Sequence, residues 1–298
     1  MTDRSLTLAA PAKINLYLGV HTERDDRGYH KVDSLMAAVG LADTVTVAPA
    51  PALTVQTVPA SDFPMQKNTA YRAAIAMAEQ YGREANVCVT IEKRIPLCAG
   101  LGGPSTDAAA VIVALAELWG IDRTDSALDE IARGIGADVP FFLHASPAFY
   151  VGGGDVLATE YFALPATPVV LVKPREASVS TVEAYRRFDE NPAPAEKPGA
   201  IASALRAGDA EAAYALVHNN LGVISAQMEP QIQTVLDWLS AQEGTVAVNV
   251  CGSGACSFAI CDTAAAAERL AEAAQQNGWW SCATELIPNT VRIDAPKK

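Results

Sequence analysis

Apolar and polar positions alternate through most of the first 60 residues and fall into helical spacing at intervals after them. Residues 6–20 read as one long strand or a strand pair broken at Pro11, where a residue without an N–H interrupts a ladder. Residues 32–38 and 44–47 carry β-type side chains on either side of a turn at 40–43, and 53–58 form a further short strand. Ala70, Ala74, Ile75 and Ala78 recur at helical spacing, with Asn68 as N-cap and Gly82 as C-cap glycine. Residues 87–93 alternate as a strand. An Ala-rich apolar helix is expected from Asp107 to about Trp119, ended by Gly120, and a short helix over 126–133. Residues 149–151 and 156–158 flank Gly152-Gly153-Gly154-Asp155 as a hairpin.

Past Leu164-Pro165 the pattern begins again. Residues 168–172 read as a strand and 191–199 as a Pro-rich polar linker. Helices are expected at about 210–217 and 231–242. Strands over 246–250 and 256–261 enclose Gly252-Ser253-Gly254. A helix over 264–277 and a strand over 283–287 complete the chain. There is no repeat and no long low-complexity segment. This order predicts two α+β domains packed side by side, divided as residues 1–163 and 164–298.

Composition narrows the class. The chain has 298 residues, of which half are hydrophobic and 19% charged, as expected of a globular protein of two domains. The formal charge of −12 argues against nucleic acid or a membrane as partner. It leaves room for an anionic small molecule, which needs only local N–H groups and one or two lysines. No apolar run approaches the roughly 20 residues needed to span a bilayer, and Lys13 and Asn15 interrupt any signal-type stretch at the N-terminus. Cys88, Cys98, Cys251, Cys256, Cys261 and Cys282 form no CxxC pair. They read as reduced, mostly buried thiols of a cytoplasmic protein.

The densest chemistry lies in Pro96-Leu97-Cys98-Ala99-Gly100-Leu101-Gly102-Gly103-Pro104-Ser105-Thr106-Asp107. Glycines let a backbone approach a ligand closely. The start of the following helix adds unpaired N–H groups and the positive end of a dipole. Together they suit a phosphate group. The turn lacks the Gly-Lys-Ser/Thr ending of a Walker loop, and Ser105 stands where a dinucleotide fingerprint has its third glycine.

Four further elements each admit two readings. In Pro11-Ala12-Lys13-Ile14-Asn15-Leu16, Lys13 and Asn15 share one strand face, as functional groups or as edge charges. Gly28-Tyr29-His30 suits stacking on a base and bonding to its edge, or an ordinary turn into a strand. Asp138, in Gly136-Ala137-Asp138-Val139-Pro140, is a cap or a catalytic carboxylate. Gly252-Ser253-Gly254-Ala255 is a hairpin turn or a second close-approach turn.

Taken together and in this order, the five elements resemble the GHMP kinases, and within them the branch that phosphorylates a cytidine diphosphate-linked methylerythritol in non-mevalonate isoprenoid biosynthesis. The resemblance runs from Pro11 to Ile260. It implies an N-terminal domain like the second domain of ribosomal protein S5 and a ferredoxin-like C-terminal domain. It also implies ATP and Mg²⁺ as cofactors, with the γ-phosphoryl moved to the 2-hydroxyl of the methylerythritol unit. Lys13 and Asp138 match the family's catalytic pair. The nucleotide would meet Pro96, Gly100, Leu101, Gly102, Gly103, Ser105 and Thr106, with Asn68 and Lys93 on its side. The alcohol would meet Asn15, Tyr29, His30, Thr181, Tyr185, Gly252, Ser253 and Gly254, an aromatic near 185 sandwiching the cytosine. Ser105 or Thr106 is the metal ligand to consider, without a choice between them. Where the family usually reads Gly-Gly-Gly-Ser-Ser or a near variant after the leucine, this chain has Gly102-Gly103-Pro104-Ser105-Thr106, in which Pro104 removes one N–H, and Cys98 replaces a usual small residue. A mevalonate- or homoserine-type kinase, or a non-catalytic nucleotide-binding regulator of the same fold, would share the glycine turn.

Overall fold

The computed structural model describes residues 4–60, 63–161 and 164–293. Two long antiparallel strands, β1 (Leu6–Arg24) and β2 (His30–Pro49), form its spine. The expected break at Pro11 and turn at 40–43 do not occur. Pro11 faces Ala42 at a register shift, a bulge of the kind that accommodates a residue without an N–H. A second shift between Asn15 and Tyr17 re-aims the side chains that follow Lys13.

Strand β3 (Thr54–Val58) runs parallel to β4 (Val87–Glu92), and β4 is antiparallel to β2. Helix α1 (Thr69–Tyr81) is bounded as its residue types require. The Asn68 carboxamide oxygen accepts the Ala70 N–H, and Gly82 is left-handed. Helix α2 (Gly103–Trp119) starts four residues before the expected Asp107 and is buried almost all round between α1 and the β1–β2 sheet. That placement explains its unbroken run of Ala, Val, Ile and Leu. Helix α3 (Ser126–Ile135) and a 3₁₀ turn (Pro140–Leu143) lead to the hairpin β5 (Ala148–Val151) and β6 (Val156–Glu160), as expected.

The second half places β7 (Pro168–Lys173) beside helix α4 (Thr181–Glu190), then α5 (Gly199–Arg206) and α6 (Ala210–Tyr214). Two-residue strand β8 (His218–Asn219) joins β1 in parallel before α7 (Asn220–Met228) and α8 (Pro230–Ser240). The last elements are β9 (Thr245–Val250), β10 (Ser257–Cys261), α9 (Ala264–Gln276), β11 (Trp280–Ile287) and β12 (Arg292–Ile293). Strand order β11-β7-β10-β9 gives an antiparallel sheet. Strand β11 continues past it to pair with β2 at Leu286–Val39 and Ile287–Ala38. The strands of the two halves therefore form one hydrogen-bonded path.

Helices α4, α5 and α7 were not expected, and α6 is shorter than the expected 210–217 because β8 begins at His218. Polar α4 buries only Ala184 and Phe188. In α7, Gly222, Val223 and Ile224 are weak helix formers, and capping by Asn219 together with burial overrides them.

Candidate active site

The two glycine turns interlock. The chain leaves β4 and crosses to α2 through residues 93–102, where Gly100 and Gly102 have φ of 72° and 73°. The Cys98 and Ala99 carbonyls accept the N–H groups of Ala255 and Cys256, at 3.1 and 3.2 Å. A Cβ on Gly100 would stand 1.8 Å from the Cys251 carbonyl oxygen, so only glycine fits. A Cβ on Gly252 would meet the Gly100 carbonyl and Lys13 Nζ, each at 3.2 Å. The Gly252–Gly254 turn is held in turn by Asn219, whose Nδ2 donates to Gly252 O at 2.8 Å, and by Ser225, whose hydroxyl donates to Ser253 O at 2.8 Å. Close approach, rather than chain reversal alone, accounts for the glycines at both places. Gly103 has an ordinary φ, and its constraint is packing: a Cβ there would meet Ile95 Cγ2 at 3.2 Å.

Lys13 lies at this junction. Its backbone N–H donates to Leu101 O at 3.0 Å, which pins β1 to the first glycine turn. The side chain is buried, and its Nζ donates to Asn15 Oδ1 at 2.7 Å. Asn15 Nδ2 passes on to the Ser34 hydroxyl at 3.0 Å. Asp138 Oδ2 is 3.4 Å from Lys13 Nζ, with that carboxylate 38% exposed. A buried ammonium needs such partners, and an accessible carboxylate beside it can meet a ligand.

A second charged cluster, which the sequence did not reveal, supports the turn from behind. Lys93 Nζ donates to Asp107 Oδ2 at 2.7 Å and also to Asp43 Oδ2. Asp43 Oδ1 accepts the N–H groups of Arg94 and Ile95 at 2.5 and 2.8 Å. Burial pulls the Lys93 ammonium down, but the two carboxylates outweigh it and hold it raised. Burial, with Asp43's charge, pushes the Asp107 carboxyl up against Lys93's pull. The only local clue was Asp43 in the apolar run Gly40-Leu41-Ala42-Asp43.

The remaining expected residues fall into two groups. Asn68 spends its carboxamide oxygen capping α1, while Thr69 beside it donates to the Pro104 carbonyl at 2.6 Å, joining the starts of α1 and α2. Pro96 opens the turn half-buried. Ser105 is half-buried too, and Thr106 is wholly buried, its Oγ1 without a hydrogen-bond partner among the described residues. In the other group, His30 Nδ1 lies 2.7 Å from the His21 carbonyl, and its ring sits 5.3 Å from Tyr185 and edge-on to Phe188 at 5.7 Å. Burial, with Asp138's charge nearby, pushes the Tyr185 phenol up to about 12. The Thr181 and Ser253 hydroxyls are 2.8 Å apart, which ties α4 to the second glycine turn. Tyr29 is 63% exposed.

All six cysteines are free thiols; three are buried, Cys88 and Cys282 are partly so, and Cys98 is exposed in the first glycine turn. Among the described residues, no group of three or more His, Cys, Asp or Glu side chains gathers as a metal site. No helix there is long and apolar enough to cross a membrane.

The chain is similar to known proteins in sequence and fold. The N-terminal domain model of GHMP kinases matches residues 68–146, and the C-terminal model matches 201–278. A protein of Mycobacterium tuberculosis named 4-diphosphocytidyl-2-C-methyl-D-erythritol kinase is 34% identical, over 98% of this chain and 94% of its own. One of that name from Nostoc is 33% identical over 92% of each chain. A crystal structure of 4-(cytidine 5'-diphospho)-2C-methyl-D-erythritol kinase superposes with a TM-score of 0.77 at 34% identity, over 94% of this chain and 99% of that one. Homoserine kinase from Cytophaga hutchinsonii shares the fold at 19% identity, with a TM-score of 0.74 over 99% and 98% of the chains.

Proposed function

The chain belongs to the GHMP kinases, and from that premise we propose that it transfers the γ-phosphoryl group of ATP to the 2-hydroxyl of 4-diphosphocytidyl-2-C-methyl-D-erythritol. The observation that carries this reading is the convergence of Lys13, Asp138 and both glycine turns, with the His30–Tyr185 ring pair close to Asp138. The reading takes the two domains as residues 1–163 and 164–298. It describes a cytoplasmic enzyme with small-molecule partners and no nucleic acid or membrane.

Phosphoryl transfer depends on positioning and charge neutralisation more than on covalent chemistry. The N–H groups of residues 100–103 and the start of α2 receive the nucleotide phosphates, with Pro96, Ser105 and Asn68 at the edges. Lys93 acts through Asp107 and Asp43 to hold that turn. Magnesium suits the oxygen donors at the start of α2, the orphaned Thr106 hydroxyl and neighbouring Ser105, and when bound it neutralises phosphate charge. Asp138 accepts or orients the hydroxyl proton, and the Lys13 ammonium beside it favours the developing alkoxide. The acceptor is a tertiary alcohol, so alignment matters as much as basicity. Asn15 fixes the Lys13 ammonium. Tyr29 and Tyr185 offer faces to the cytosine, and His30 its edge partner. Thr181, Ser253, Gly252 and Gly254 line the passage between base and hydroxyl.

The deciding experiment incubates the protein with Mg²⁺-ATP and a panel of alcohols and measures ADP. We expect ADP with the cytidine-bearing alcohol and very little with 2-C-methylerythritol 4-phosphate. Efficient turnover of mevalonate or homoserine, with the cytidylyl compound ignored, would leave only the broader family; no turnover of any alcohol would favour a nucleotide-binding regulator.

A further inference from the structure

The hairpin turn Gly152-Gly153-Gly154-Asp155 has no task in the phosphoryl-transfer reading, yet it lies directly under the segment that carries Tyr29 and His30. The Gly152 carbonyl accepts the Val32 N–H at 2.8 Å. A Cβ on Gly153 would meet Arg27 Nη2 at 3.0 Å and Tyr29 Cβ at 3.6 Å. One on Gly154 would meet Val32 Cγ2 at 3.0 Å. The glycines therefore admit the base-facing segment as well as reversing the chain.

Asp155 closes this contact. It is 2% exposed, and four donors converge on its carboxylate. Arg27 Nη1 and Nη2 donate to its two oxygens at 2.7 and 2.9 Å. Arg133 Nε donates at 3.1 Å, and so does the Gly153 N–H. Burial pulls this carboxyl up, but the two arginines prevail and hold it below the ordinary range. A buried carboxylate in a two-pronged guanidinium fork is fixed in direction as well as in place.

The fork's other side is also held. Arg27 Nε and Nη2 donate to Asp25 Oδ2 at 2.9 and 2.8 Å. Asp25 Oδ1 accepts the N–H groups of Arg27 and Tyr29, at 3.0 and 2.9 Å, and the Asp25 N–H donates to Tyr29 O at 2.7 Å. The guanidinium then lies over the Tyr29 ring, 5.3 Å from its centroid. An aromatic residue 63% exposed would otherwise sample several rotamers, and the stacked cation selects one.

We propose that Asp155 is a positioning residue for base recognition: it locks Arg27, and Arg27 holds the Tyr29 ring in the orientation against which the cytosine stacks. This rests on the function proposed above, in that the alcohol carries a cytidine. Asp155 touches neither substrate nor reacting atoms. Its effect belongs in KM for the alcohol, and leaves kcat and the ATP term alone. A merely structural ion pair would instead lower thermal stability and amount of active enzyme without moving KM.

The test is steady-state kinetics on the full-length protein with 4-diphosphocytidyl-2-C-methyl-D-erythritol. Asp155→Asn should raise KM for that alcohol about tenfold, with kcat and KM for ATP within about twofold. In a Tyr29→Ala background the same substitution should add nothing, because the ring it orients is gone. Should Asp155→Asn not fold, Arg27→Gln on the exposed loop reads the same effect. Unmoved KM in a folded single variant, or full additivity with Tyr29→Ala, overturns the proposal while the parent remains active. Failure of the parent to phosphorylate the cytidine-bearing alcohol overturns the functional reading on which it rests, and this proposal with it.

Discussion

Lys13 Nζ stands 3.4 Å from Asp138 Oδ2, and the two side chains reach that meeting from opposite environments. Lys13 comes from the buried centre of β1, whereas Asp138 comes from the open loop after α3. One partner is fixed by Asn15 and by the β1–Leu101 bond, and the other is free to meet a ligand. This asymmetry is what a proton-accepting carboxylate beside a charge-stabilising ammonium requires.

Asp138→Asn and Lys13→Ala should therefore each lower kcat by about 10²–10⁴-fold, the range of a general acid–base contribution. ATP affinity should change little, since neither side chain holds the glycine turn through its own hydrogen bonds. Stopped-assay ADP release with calorimetry of ATP binding checks both. Unchanged turnover in folded Asp138→Asn protein would remove that carboxylate from the chemistry.

Asp43 supplies a stability prediction independent of catalysis. It shares the Lys93 ammonium with Asp107 and accepts two backbone N–H groups at the entry to the first glycine turn. Removing one member of a buried ion cluster typically costs about 3–5 kcal/mol, because the others lose their compensation. Asp43→Ala should fall in that range by urea denaturation, and ATP binding should weaken as the turn loosens. A loss below about 1 kcal/mol would mean that water replaces the carboxylate.

What was legible in the chain was what residue type decides locally. Asn68, Gly82 and Gly120 cap helices because an oxygen acceptor or a left-handed glycine is needed there. Gly152–Asp155 turns a hairpin for the same kind of reason. The five motifs were each readable, but not their meeting: that Gly100 fits under the Cys251 carbonyl depends on two turns 151 residues apart in the chain. The Asp43–Lys93–Asp107 cluster was hidden because its members occupy three separate elements and share no spacing rule. Pro11 misled because a bulge can absorb a proline inside a long strand. Helix α4 was missed because its apolar stripe is only two buried residues wide.

His144 makes stability depend on pH. Its Nε2 lies 2.8 Å from Asp129 Oδ1, and its Nδ1 lies 3.5 Å from Glu160 Oε1. The Asp129 hydrogen bond raises the imidazole above its ordinary 6.5; burial opposes this, and the two carboxylate charges add to it. A histidine raised on folding contributes stability that is complete below 6.5 and lost as pH climbs through its higher folded value. The parent should thus exceed His144→Gln by about 1 kcal/mol, or about 2–4 °C in Tm, at pH 6. The difference should close by pH 9. A gap that stays constant across this range would assign His144 to packing alone.

The two tyrosines of the base site should separate recognition from stability. Tyr29 is mostly exposed and packs under Arg27, whereas Tyr185 is half-buried against the His30 ring. Stacking on an aromatic side chain contributes about 1–3 kcal/mol per base, so losing either ring should raise KM for the cytidine-bearing alcohol by roughly five- to 150-fold. Tyr29→Ala removes little buried surface and should leave Tm within about 2 °C. Tyr185→Ala also uncovers His30 and should lower stability by about 1–3 kcal/mol. ATP affinity should hold in both, because on the proposed reading both rings serve the alcohol and not the nucleotide phosphates. Equal KM values for parent and Tyr29→Ala would mean that the cytosine does not stack there. A drop in ATP affinity instead would move the base site to the nucleotide's side of the cleft.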